Sequence, residues 1–155
     1  MTLLVVLVLL TITILGGLAL ARLSASGVFI AGNAASKQGS LQASEVGVNS
    51  AFAAVQGLGN DNAAVTGWYF PVAQAVDADG VPEGIDWDAA PSVSVDPYEV
   101  RYVVERLCSV AAVSNASRDC LIPVSSPSQK QYRITVRVSM ASTGTTTFVQ
   151  ALMQR

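Results

Sequence analysis

The sequence predicts an α+β protein in which one long N-terminal helix, apolar in its first half, packs on an antiparallel sheet of three or more strands. Three observations carry this. Met1 to Ala21 contains no charged side chain. Apolar positions then continue at helical spacing to about Gln56. The last third alternates apolar and polar residues with the period of a strand. Three regions follow: 1–22 as a helix lying in a membrane or in something that replaces one, 23–57 as its amphipathic continuation, and 58–155 as a globular domain. The domain, at roughly 100 residues, suits one core.

The first region has the length of a membrane span, since about 20 apolar residues at 1.5 Å each cover the roughly 30 Å of bilayer hydrocarbon. A secretory signal would place a positive n-region before a shorter apolar core. Met1-Thr2-Leu3-Leu4 has no such n-region, so the stretch is either an unusual anchor or, as expected here, a span whose leader is removed before Met1. Arg22 is the first charge and Lys37 the second. Gly16-Gly17 is the helix's weak point, costing roughly 2 kcal/mol of helix propensity. A kink there and close packing against another helix through small residues are both open readings.

In the second region Val28, Ala31, Ala35, Leu41, Val48, Phe52 and Val55 recur at mostly three- and four-residue steps or their multiples, with Lys37, Gln38, Gln42, Glu45 and Asn49 between them. Gly57 and Gly59 end the pattern. From Leu58 to Pro97 the chain reads as irregular, rich in Gly, Asn, Asp and Pro. Trp68-Tyr69-Phe70 within it is expected to pack on the helix or on a sheet edge, with surface recognition as the alternative. Asp77-Ala78-Asp79-Gly80 resembles a fragment of a calcium loop, but its glycine is misplaced for one, and a solvated turn is the expected structure.

Tyr98 to Leu107 and Tyr132 to Met140 read as strands, the first alternating Tyr98, Val100, Tyr102 and Val104 against Glu99, Arg101 and Glu105. Ser142-Thr143-Gly144 supplies a turn, and Thr145 to Met153 returns as a third strand. Arg101, Arg133 and Arg137 fall on strand faces where solvated side chains are expected. Cys108 and Cys120 flank a polar loop between the first two strands. Outside the cytoplasm a disulfide there is expected to contribute about 3 kcal/mol. The alternative, a metal site, lacks any His and a third Cys.

The formal charge of −2 and pI near 4.9 give no basic footprint for nucleic acid. With no His, and with Lys37 and Lys130 outside any nucleophile motif, the chain is not expected to be an enzyme. No catalytic, cofactor or metal residue stands out.

An apolar N-terminus, one long helix and a sheet with a late cysteine pair resemble a type IV pilin or a type II secretion pseudopilin. Leu3 to Leu10, Ile14-Leu15-Gly16, Arg22, Ala31-Gly32-Asn33 and Gln42-Ala43-Ser44-Glu45 are similar to the N-terminal pattern of the PilX-type minor pilins. Tyr132 to Arg137 and Val149-Gln150-Ala151-Leu152 are similar to that family's terminal hairpin; Ser44 replaces the family's usual alanine. Most pilins carry glutamate at mature position five, whereas this chain has Val5, a lack shared by tip-type subunits. The resemblance implies the type IV pilin fold, a leader peptidase that cuts before Met1 and methylates its amine, and residence in the bacterial inner membrane with the domain in the periplasm. It further implies a role in priming pilus assembly and a place at the pilus tip, with other minor pilins, the major pilin and a PilY-type adhesin as partners. A type II secretion tip pseudopilin and a single-span membrane-anchored binding domain are the alternatives.

Overall fold

The computed structural model describes residues 1–109 and 130–155. Among the described residues one helix, α1, covers Thr2–Gln56, and five strands follow: β1 (Tyr69–Phe70), β2 (Ser92–Val95), β3 (Tyr98–Ser109), β4 (Lys130–Met140) and β5 (Thr145–Gln154). The first proline is Pro71, so nothing in α1 removes a backbone donor, and the helix runs uninterrupted through Gly16-Gly17. The chain divides into two compact units, Met1–Gly39 and Ser40–Arg155. The first is helix alone.

In the second unit the helical residues Ser40, Ala43, Ser44, Gly47, Ala51 and Val55 are buried, at the three- and four-residue steps that keep one face on one partner. That partner is the sheet face made by Val100, Tyr102 and Val104 of β3, by Tyr132, Ile134, Val136 and Val138 of β4, and by Met153 of β5. Most of the helical contact residues are small, which lets the helix backbone lie close to the strands. At Gly47 the approach is tight: a Cβ there would stand 2.6 Å from Val100 Cγ1 and 2.7 Å from Val136 Cγ1. This is the α+β, pilin-like layout expected from the sequence.

The strands are ordered β1-β3-β4-β5, with β2 also on β3; β1 runs parallel to β3 and every other pairing is antiparallel. The three long strands lie where alternation predicts them. β1 and β2 lie inside the stretch read as irregular, because one has only two residues and the other, Ser-Val-Ser-Val, sits between Pro91 and Pro97. The aromatic cluster packs on the sheet edge: Tyr69 is fully buried, with Trp68 at 5.8 Å and Tyr132 at 6.5 Å between ring centroids, while Trp68 meets Tyr102 edge-on. Cys120, and with it the Cys108–Cys120 disulfide expected from the sequence, lies outside the described residues.

One expectation is corrected. Arg101 and Arg133 are expected on solvated strand faces, yet the face opposite the helix is also covered, and Val103, Glu105 and Thr135 on it are fully buried. The cover is the irregular segment between β1 and β2. Its Gln74 amide donates to Glu105 Oε1 at 2.7 Å, its Gly80 carbonyl accepts from Gln150 Nε2 at 2.6 Å, and Trp87 packs on Phe148 at 5.5 Å. Arg133 Nε pairs with Glu105 Oε2 at 2.8 Å, and Arg101 Nη1 donates to the Trp87 and Asp88 carbonyls. A buried carboxylate needs such partners, since an unpaired one costs several kcal/mol.

Gly47→Ala is expected to destabilise the domain by about 1–2 kcal/mol, because overpacking outweighs the roughly 1 kcal/mol that alanine adds in helix propensity. Val136→Ala added to Gly47→Ala should recover part of that loss by opening space for the new methyl. Thermal unfolding of the detergent-solubilised chain, followed by near-UV circular dichroism, checks this. Unchanged or increased stability in Gly47→Ala contradicts the close approach.

Candidate assembly interface

The first unit carries the residues singled out from the sequence. Leu3, Leu4, Val5, Val6, Leu7, Val8, Leu9 and Leu10 are all exposed, and so are Ile12, Ile14, Leu15, Leu18, Leu20 and Leu23. None of the most apolar 18-residue window is buried, and the helix is long and apolar enough, by length and composition, to cross a membrane. At about 1.5–3 kcal/mol for each large aliphatic side chain left in water, this exposure amounts to roughly 20–40 kcal/mol. That exceeds the roughly 5–15 kcal/mol by which a whole domain is ordinarily stable, so an apolar environment is the stable place for the segment.

The polar groups of the segment fit that environment. The helix satisfies its backbone internally. The Thr11 and Thr13 hydroxyls donate to the Val8 and Leu10 carbonyls at 2.8 and 2.9 Å, which leaves neither donor open toward the surroundings. No carboxylate occurs before Glu45. Met1 precedes the helix and accepts the Val5 amide at 3.4 Å; the Val5 side chain is exposed. A Cβ placed at Gly16, Gly17, Gly27 or Gly32 would meet nothing within 4 Å, so no contact within the chain requires their smallness.

A second polar constellation, which sequence reasoning missed, closes the domain at the end of α1. Asp61 Oδ2 pairs with Lys130 Nζ and accepts the Tyr132 hydroxyl at 3.3 Å, beside a cavity of about 230 Å³ that Leu58, Gly59 and Arg155 also line. Arg155 Nη1 donates to the Val55 carbonyl at 2.8 Å, placing a cation on the negative end of the helix. The Tyr69 hydroxyl donates to the Asp61 carbonyl at 2.7 Å. The hydrogen bond from Lys130 holds the Asp61 carboxyl below the usual carboxylate range. Burial, aided by the Asp61 charge, pushes the Tyr132 phenol up to about 12. These groups fasten the turn after α1 to the sheet, and Lys130 is committed to that structural pair.

The acidic stretch is a turn. Asp77 Oδ1 accepts the amides of Asp79 and Val81 at 2.9 and 2.8 Å, and Gly80 takes the positive φ of 81° that the turn requires. Among the described residues, no group of three or more His, Cys, Asp or Glu side chains is arranged to hold a metal ion.

Searched against family models, curated proteins and solved structures, the chain finds no match.

Two pH effects follow from the Asp61 constellation. The Asp61 carboxyl is depressed, so its stabilisation is present above its ordinary value of 3.8 and is lost as pH falls through the lower folded value. Asp61→Asn should therefore cost about 1–3 kcal/mol near neutrality, and the difference from wild type should shrink on acidification below that point. Tyr132 is raised, so its stabilisation is present below its ordinary 10.0 and is lost as pH rises toward about 12. Tyr132→Phe should flatten the alkaline fall in stability. Denaturant titrations across pH, with tyrosinate absorbance recorded alongside, check both.

Proposed function

We propose that the chain is a minor pilin of the PilX type, which primes type IV pilus assembly and forms part of the pilus tip complex. The observation that carries this reading is a fully exposed apolar helix, without a carboxylate before Glu45, continuing into a helix that packs on a mostly antiparallel sheet. Such a helix is served by two environments, lipid before assembly and other apolar helices afterwards. Exchange between them costs little, because hydrocarbon tails and leucine side chains are equally apolar.

In this reading a leader peptidase cuts before Met1 and methylates its amine, the helix waits in the inner membrane with the domain in the periplasm, and then it enters the pilus core. Gly16 and Gly17, open to their surroundings, let neighbouring helices approach closely. Val5 removes the buried carboxylate that other pilins balance against a neighbour's terminal amine; a tip subunit has no neighbour above to balance it. The domain would present a PilY-type adhesin together with other minor pilins.

The expected outcome in vivo is that a null strain loses surface pili and regains them when retraction is disabled. Val5→Glu should lower piliation toward the null, because it adds an unpaired carboxylate to an apolar core. Counting pili by electron microscopy in wild-type, null and Val5→Glu strains tests this. Unchanged piliation in all three sinks the pilin reading and favours a single-span anchored binding domain.

A further inference from the structure

Among the described strands β5 is the outer one, and from Thr145 to Gln154 it contains no charge and no proline, in unbroken register with β4. Its open edge can be read from the backbone. Lys130 and Arg155 exchange both of their backbone hydrogen bonds, at 2.8 and 3.0 Å. Bonded and non-bonded pairs alternate along an antiparallel ladder. Met153, Ala151, Val149, Thr147 and Thr145 therefore bond inward to β4. Thr146, Phe148, Gln150, Leu152 and Gln154 turn their amides and carbonyls outward, where no described residue meets them. Natural sheet edges are usually blunted by lysine, proline or a bulge, because an unprotected edge pairs with whatever strand fits it. This edge has none of the three.

We infer that the β5 edge pairs with the β5 edge of a second copy, antiparallel across a two-fold axis, joining both sheets into one. The self-complementarity of the strand argues for this occupant. Outward-facing residues must meet outward-facing residues, which leaves two central registers of equal overlap. In one, Gln150 faces its own copy; in the other, Val149 does. The first sets Phe148 against Leu152 twice, bringing together side chains that stand 41% and 46% exposed in the single chain. The second sets Phe148 against Gln150 and Leu152 against Thr146. Apolar cross-strand pairs select the first, and a strand without charge meets no repulsion from its own copy. The two-fold relation also matches the commonest symmetry of homo-oligomers. The inference uses only residues of the unit Ser40–Arg155 and stands apart from the pilus reading.

The test is sedimentation and oxidative cross-linking of the full chain in detergent micelles. Wild type is expected to sediment as a dimer, and Leu152→Lys and Phe148→Lys, both at exposed positions, to weaken the dimer roughly tenfold or more. Gln150→Cys should give a disulfide-linked dimer beyond any wild-type background, since facing residues of a bonded pair lie about 5.5 Å apart, within disulfide reach. Thr146→Cys, which faces Gln154 of the other copy, should not. A monomeric wild type overturns the inference. So does a dimer that persists undiminished in both lysine variants, which would assign association to α1, or a Thr146→Cys chain that cross-links as readily as Gln150→Cys.

Discussion

The arrangement of this protein depends on one constraint: a helical segment whose large aliphatic side chains are all exposed cannot rest in water. The roughly 20–40 kcal/mol at stake exceeds the 5–15 kcal/mol by which a whole domain is ordinarily stable. The polar details of the segment are consistent with burial in an apolar medium, with hydroxyls turned back on the helix and no carboxylate before Glu45. The function proposed for the chain supplies surroundings that accept such a segment while a folded sheet domain remains in water.

The same helix meets a different demand from Ser40 onward. There it is one wall of a core, and most of its contact residues are small so that the strands can come close, tightly so at Gly47 against Val100 and Val136. The end of this wall is fastened by polar chemistry: Arg155 on the Val55 carbonyl, and Asp61 with Lys130 and Tyr132 on the turn that follows. The opposite face of the sheet is covered by an irregular segment whose Gln74 amide donates to Glu105 and whose carbonyls accept from the Arg101 and Gln150 side chains. The domain thus has two covered sheet faces, one apolar and one partly ionic.

Much of this was legible in the sequence. The long helix and the three long strands were readable because their periodicities are long and unbroken by proline. Gly57 marked the helix end correctly, since α1 closes at Gln56. What was not legible has common causes. β1 is too short to carry a period, and β2 is hidden between prolines. Glu105 and Arg133 occupy the alternate positions that normally face solvent, and only the strand register, which sets them opposite each other, reveals that they can be buried as a pair. Asp61 and Lys130 are separated by most of the domain, so no local pattern links them. Gly47 sits in a helical run where glycine is merely unfavourable, and its reason appears only when the strands beneath it are known.

The measurement that bears most directly on the central claim is the location of the chain after surface filaments are sheared from cells and separated from membranes. The account predicts that the chain is recovered with the sheared filaments and that antibody against its domain labels fibre ends. Recovery in the membrane fraction alone, with fibres unlabelled, contradicts it.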